Sequence, residues 1–331
     1  MMLKLISLPL RPLPGALLLT MFPGLALAAS APDYPAKPIR IVVSFSPGGG
    51  TDIFARAMAQ KYNAAWGQPV IVDNRAGGGG NIGTDLVAKA PADGYTLLLT
   101  TNAPIAINPN LAKAPFDPVR DFAPVSQLAA LPFVLSVHPS SPAKTTVELI
   151  ALAKAKPGQL NFASSGAGGG AHLAGEMLKT MAKIDMTHVP YKGGSPALLA
   201  LAGAQVDLLF LSILTSMPLI KSQKVRALGV TSPKRSPALP DLPAIAETPG
   251  LEHFESDLWY GMLAPATTDP RIIDKIYQEG RRMLTSPEFR NLFEPTGASL
   301  VASSPGAFAA AIKEDLAKWA TVIKSSSAKM D

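Results

Sequence analysis

Four glycine clusters hold the residues of this chain best placed to do chemistry, and each stands where a β-strand should hand over to a helix. They are Ser46-Pro47-Gly48-Gly49-Gly50-Thr51-Asp52, Arg75-Ala76-Gly77-Gly78-Gly79-Gly80-Asn81-Ile82-Gly83, Ser164-Ser165-Gly166-Ala167-Gly168-Gly169-Gly170-Ala171-His172 and Tyr191-Lys192-Gly193-Gly194-Ser195-Pro196. A helix N-terminus presents free N–H groups and about half a positive charge, so such junctions bind anions. Glycine lets the main chain approach a ligand closely and adopt positive φ. In open α/β sheets these loops lie at the carboxyl ends of strands, where ligands bind. One cluster alone reads as a tight turn. Four at the same kind of junction point to backbone capture of an anion.

Other chemistries fit poorly. No Gly-Lys pair occurs, which excludes a P-loop. Gly166 to Ala171 satisfies the loose G-x-G-x-x-A pattern with Asp185 near the expected spacing, but that match is weak in glycine-rich sequence and no nicotinamide cofactor is expected. Gly193-Gly194-Ser195-Pro196-Ala197 misses G-x-S-x-G at its last position, and Pro196 suits a first helical turn. His172 and Glu176 share a helix face, yet two ligands without a third make no metal site. His172 is placed beside the third glycine loop, where it can donate to an anion or to the backbone. His138, His188 and His253 show no partner spacing and read as structural. The expectation is therefore no catalytic residue, no metal and no cofactor. The rival is a secreted hydrolase using His172 with Ser165.

The 331 residues allow about two domains of 100–200 residues. Zero cysteine removes thiol nucleophiles, disulfides, zinc–cysteine sites and iron–sulfur clusters. Hydrophobic residues are 47% and charged ones 16%, against about 25% in average domains, which excludes a disordered chain. Met1 to Arg11 carries Lys4 and Arg11 without an acid, Leu13 to Leu27 is apolar, and Ala26-Leu27-Ala28 offers small residues for cleavage. That order reads as a signal peptide over 1–28 and an exported, periplasmic protein. Removing it leaves 28 basic against 24 acidic residues, too mild a surplus to indicate nucleic acid. The apolar stretch Ala197 to Leu214 holds Gly203, Gln205 and Asp207 in its middle, so it reads as a buried helix and a core strand Val206 to Leu211, not a membrane span.

The elements that must position the loops alternate. Strands are expected at Ile39–Ser46, Val70–Val72, Thr96–Thr100, Pro132–Val137, Leu160–Ser164, Thr187–Pro190, Val206–Leu211, Val225–Val230 and Tyr260–Leu263. Helices are expected at Asp52–Ala65 (with Ile53, Ala57 and Met58 inward), Asn81–Lys89, Thr145–Ala155, His172–Ala182, Arg271–Leu284, Pro287–Phe293 and Pro305–Ile323. This alternation predicts an α/β fold with largely parallel sheets. Asp117–Pro124 and the proline-rich segment Pro233–Pro249 suggest boundaries, with the helical tail returning to the first lobe.

The motifs also resemble a known family. Tyr34-Pro35-x-Lys37-Pro38-Ile39-Arg40, FSPGGGTDIFAR (45–56), VDNRAGGGGNIG (72–83), ADGYTLLL (92–99), FDPVRDFAPV (116–125), the run HPSSP to HLAGE (138–176), VPYKGGSPAL (189–198) and KRSPALPDLP (234–243) are similar, in order, to the Bug-type periplasmic solute-binding proteins. These are the receptors of tripartite tricarboxylate transporters. The resemblance implies a type II periplasmic-binding-protein fold, two α/β lobes around a ligand cleft joined by crossover strands. It implies lobe 1 over 30–133 plus 257–331 and lobe 2 over 134–256. A small organic acid is the implied ligand, a di- or tricarboxylate or an aromatic acid, with amide-binding members as the alternative. A membrane permease is the implied partner, and a monomer is expected.

Carried over residue by residue, the family's grip falls on Phe45, Ser46, Pro47, Gly48, Gly49, Thr51 and Asp52 on one side. On the other it falls on Ser164, Ser165, Gly166, Gly169 and His172, with Tyr191, Lys192 and Gly193 lining the cleft and Thr101 and Asn102 touching the ligand from a strand end. An acid beside an anion would repel it, so Asp52 is expected to cap or order its loop. This chain departs from the family where Leu211 stands for a frequent Asp, Ala204 for a glycine, and Ala244 for Thr in Pro243-x-x-x-Glu247. Leu211 implies a more apolar, aromatic ligand.

Overall fold

The strand-forming runs assemble into one ten-stranded mixed sheet in the computed structural model, which describes residues 34–325. The leader expected at 1–28 lies outside the described residues. In chain order the first half contains β1 (Ile39–Val43), α1 (Gly50–Trp66), β2 (Val70–Asn74), α2 (Asn81–Ala88), β3 (Thr96–Thr101), α3 (Asn108–Leu111), β4 (Phe122–Val137), α4 (Thr146–Ala155), β5 (Asn161–Ser164) and α5 (Gly170–Ala182). The second contains β6 (Thr187–Pro190), α6 (Gly194–Ala202), β7 (Leu208–Ser212), α7 (Ile213–Lys221), β8 (Arg226–Val230), β9 (Asp257–Pro265), α8 (Pro270–Leu284), α9 (Pro287–Phe293), β10 (Ser299–Leu300) and α10 (Pro305–Ser325).

Strand order is β2-β1-β3-β9-β4-β7-β5-β6, with β8 and β10 also paired to β4. The flanks are parallel: β1 pairs β2 and β3, and β5 pairs β6 and β7. The middle is antiparallel, because β9 runs against β3 and β4, and β4 runs against β7 and β8. The expectation of largely parallel sheets therefore holds only at the two flanks, where a helix connects each strand to the next. At the centre, β9 reaches its partners only after the chain has built the β5–β8 half, and it enters in the opposite direction.

β4 is 16 residues long and serves both halves. From Phe122 to Pro132 it pairs β9; from Phe133 to Val137 it pairs β7 and β8. From sequence this strand is predicted to start only at Pro132, with Asp117–Pro124 as a boundary. Pro124 and Pro132 hide its first part, since proline cannot donate to the ladder and reads as a breaker. The strand accommodates Pro124 with a register irregularity between Pro124 and Ser126.

The core explains the helix faces. Phe54, Met58 and Tyr62, four apart on α1, are fully buried, and Phe54 packs against Tyr260, Phe289 and Phe293 at 5.6, 5.4 and 4.6 Å between ring centroids. Ile53 was expected inward, but it is 38% exposed because it sits one residue, about 100°, off that stripe. The α8 and α9 helices close over α1: Tyr62 Oη donates to Ile276 O at 3.0 Å, and Lys61 meets Glu288 at 2.5 Å. The α10 helix places Phe308 edge-on to Trp259 at 5.2 Å.

Candidate functional site

Helix capping divides the molecule. The N-termini of α4, α8 and α9 are satisfied by their own cap side chains, Thr145, Asp269 and Ser286. The helices that follow glycine loops are different: α1, α2, α5 and α6 start after Gly49, Gly80, Gly169 and Gly193, none of which offers a side-chain cap bond. Glycine in place of a bonding cap costs only a few tenths of a kcal/mol per helix, against about 1 kcal/mol for alanine. Three of these four N-termini border one cavity of about 40 Å³, lined by Gly50 and Thr51 of α1, Gly170 and Ala171 of α5, and Gly194 of α6. The α7 helix, capped by Ser212, adds Thr215 to the same wall. Four N-terminal dipoles therefore converge on one small space, and among the described residues none that lines it is basic.

A chain of hydroxyls forms part of its wall. Gly50 N–H donates to Thr215 Oγ1 at 2.8 Å, and Thr215 Oγ1 lies 2.9 Å from Ser212 Oγ. Ser212 in turn bonds the hydroxyl of Tyr260, whose ring is 1% exposed and whose acidity burial lowers further. A Cβ on Gly50 would lie 2.2 Å from Tyr260 Oη, so the contact exists only because position 50 is glycine. The remaining wall is mostly apolar, Phe45, Ala103, Phe133, Leu211 and Leu258, with Thr101 and Ser165 as its hydroxyls.

A second cavity of about 200 Å³ adjoins it, with Phe45 and Ser165 lining both. Its walls are Gly77 to Gly80 on one side and Gly166, Ala167, Pro190, Tyr191 and Lys192 on the other. Gly77, Gly78, Gly79 and Gly80 all have positive φ, 128, 58, 62 and 97°, and a Cβ on Gly79 would lie 2.5 Å from Ala167 O. Glycine here lets two loops approach closely.

Among the residues singled out from sequence, Phe45, Gly49, Thr51, Thr101, Ser165, Gly169 and Leu211 line the inner cavity; Gly166, Tyr191 and Lys192 line the outer one. Ser46, Pro47, Gly48, Asp52, Asn102, Ser164, His172 and Gly193 line neither. Most of these support the lining instead. Asp52 accepts the Gly48 N–H at 2.9 Å and pairs with Arg56 at 3.0 Å, so it orders its loop as expected from the charge argument. Asn102 donates to Asp257 O at 3.1 Å. His172 accepts the Gly168 N–H at 3.1 Å through Nδ1, a support to the loop and not a contact with the cavity. Gly193 sits so close to Ser46 that a Cβ would fall 2.1 Å from its Oγ. His188 Nε2 lies 2.7 Å from Ser164 Oγ, and that serine is only 1% exposed.

Sequence reasoning missed Phe133, Ser212, Thr215, Leu258 and Tyr260. They come from β4, β7, α7 and β9, carry no motif, and meet only through the antiparallel centre of the sheet. Residues 54–327 match the family described as tripartite tricarboxylate transporter family receptor (TctC). This chain belongs to that family. BugT of Bordetella pertussis is 39% identical to this receptor over 311 residues, 93% of this chain and 94% of BugT. The solved structure of R. palustris Rpa4515 with adipate is similar at TM-score 0.85 and 35% identity, covering 88% of this chain and 97% of that one. MatC from Rhodopseudomonas palustris with bound malate is similar at TM-score 0.83 and 30% identity, covering 88% and 100%.

The receptor thus has the two-lobed α/β fold of periplasmic solute-binding proteins. Among the described residues no helix is long and apolar enough to cross a membrane, and no group of three or more His, Cys, Asp or Glu could hold a metal ion.

Proposed function

We propose that this receptor captures a small organic acid, taking one carboxylate on the main-chain amides around the inner cavity and the rest of the molecule in the outer one. The convergence of four helix N-termini on a space without basic side chains is the observation that carries this reading. An inner volume of about 40 Å³ suits a carboxylate but not a whole di-acid, and the adjoining 200 Å³ accepts the remainder. The relatives solved with adipate and malate support an acid ligand.

Lobe 1 comprises 30–133 plus 257–331 and lobe 2 comprises 134–256. The switch of β4 from β9 to β7 and β8 after Pro132, opposite Asp257, supports hinging there. Closure is a population shift driven by contacts available only when both lobes meet the ligand. The protein is exported to the periplasm by residues 1–28 and hands its ligand to a membrane permease. Binding, not turnover, is its activity. Leu211 beside Phe133 and Leu258 in the inner wall favours an apolar or aromatic acid.

A thermal-shift screen against mono-, di- and tricarboxylates, aromatic acids and their amides tests this. Ligand at about 100 times Kd adds about 2.7 kcal/mol, a shift of several degrees. An acid that raises Tm supports the reading. A shift with an amide alone identifies an amide receptor, and turnover lost in Ser165→Ala with binding retained identifies the hydrolase. Tighter binding of an aromatic acid by Leu211→Asp overturns the role given to Leu211.

A further inference from the structure

Two histidines are stacked behind the third glycine loop, and neither lines the inner or the outer cavity. The His172 and His188 rings lie 3.8 Å apart at an interplanar angle of 9°, with Phe162 against both. Each ring uses a different nitrogen. His172 Nδ1 accepts the Gly168 N–H at 3.1 Å. His188 Nε2 lies 2.7 Å from Ser164 Oγ, which is also 2.9 Å from Gly166 O and 3.2 Å from Gly166 N.

Proton counting assigns the tautomers. Ser164 has one hydroxyl proton, given to Gly166 O, so His188 Nε2 carries hydrogen and donates to Ser164 Oγ. His188 Nδ1 is buried without a hydrogen-bond partner, which a bare acceptor tolerates better than an orphaned N–H. Burial, with His172 and Lys179 nearby, pushes His188 down to about 3 and keeps it neutral. His172 must also be neutral at Nδ1 to accept; its Nε2 faces Glu176 at 4.0 Å, and Glu176 is held by Lys179 at 2.9 Å.

The opposite lobe shows the same loop with a different acceptor. Gly48 and Gly168 have φ of 76 and 75°; the caps Gly49 and Gly169 have φ, ψ of −75, 165° and −80, 163°. In both, the residue four positions on accepts the first glycine's N–H: Asp52 for Gly48 and His172 for Gly168. The Asp52 charge is matched by Arg56, whereas a neutral imidazole in the second loop brings no further negative charge to an anion site.

We propose that His172 and His188 are a positioning pair, fixing the Ser165–Gly169 segment in its ligand-facing shape through Gly168 N–H and Ser164 without touching ligand. This rests on the carboxylate-binding reading for its purpose, not for its test. Asparagine places an acceptor where histidine has Nδ1, and glutamine places a polar atom where it has Nε2. His172→Asn and His188→Gln should therefore preserve the loop, and His172→Gln and His188→Asn should not.

The readout is amide hydrogen exchange at Gly166 and Gly168 in the ligand-free protein, with adipate titration alongside. Loss of one buried hydrogen bond predicts about tenfold faster Gly168 exchange in His172→Gln, with His172→Asn close to wild type. At His188 the order reverses and the effect falls on Gly166. Equal behaviour of Asn and Gln at each position overturns the proposal. If a variant does not fold, ring nitrogen resonances of the wild type decide: Nε2–H on both rings supports the pair, and Nδ1–H on His172 refutes it. A wild type that binds no carboxylate sinks the functional reading, while the exchange rates still judge the positioning.

Discussion

Single atoms set the inner cavity. Tyr260→Phe keeps the buried ring and removes the hydroxyl that meets Ser212, so a stability loss of about 1 kcal/mol is expected. Gly50→Ala is more severe, because its Cβ would stand 2.2 Å from Tyr260 Oη. In a double-mutant cycle read by denaturant unfolding, the Gly50→Ala cost should shrink when Tyr260 is already Phe. Strict additivity would show that the two do not meet. His188 makes a pH prediction. Its imidazole is pushed down to about 3 from the usual 6.5, so the unfolded chain binds the proton first and stability falls as pH drops below about 6.5. His188→Gln should therefore lose less Tm than wild type between neutral pH and pH of about 4.5. The glycine loops and the loop-ordering role of Asp52 were legible in the sequence because four-residue spacing and helix starts are local. Tyr260 and Thr215 were not: each is remote in sequence from Gly50 and becomes its neighbour only in the fold.

Elements act through their ends. Gly79 presses against Ala167 O from the opposite loop, so Gly79→Ala, with φ of 62° and a 2.5 Å contact, should hold the lobes apart. Small-angle scattering with saturating acid should then show a larger radius of gyration than wild type; an unaltered radius would place closure elsewhere. The centre of the sheet has its own titration. Burial, reinforced by Glu255 and opposed by Lys318, pushes Asp257 up to about 6. The folded state binds this proton more tightly, so stability falls as pH rises from about 4 to 6 and stays lower above. Asp257→Asn should flatten that slope and stabilise the protein above pH 6 by about 1 kcal/mol, after discounting for partial exposure. Equal slopes in unfolding free energy would contradict it. Most elements could be read from periodicity, but the first part of β4 could not, since Pro124 and Pro132 break the sequence signal while the ladder continues with a register shift after Pro124.

At the scale of the molecule, the same glycines serve two purposes. Gly79 and Gly193 let residues of opposing loops meet within distances that a Cβ would forbid, Gly50 does the same against Tyr260 of β9, and the first residues of three helices that start after such loops line the inner cavity. Zero cysteine fits this design, because the stability comes from cores on both halves of a continuous sheet. The α/β class was readable from the alternation of elements, whereas the antiparallel centre depends on contacts between β3, β4 and β9 that no local pattern records. In the proposed binding mode, backbone amides at converging helix N-termini hold a carboxylate. Isothermal titration of the acid that most raises Tm, against its primary amide, tests it most directly. Affinity for the acid at least about 100-fold tighter is predicted, because several charge-assisted hydrogen bonds and dipole contacts are lost with the charge. Equal affinity for acid and amide would contradict it.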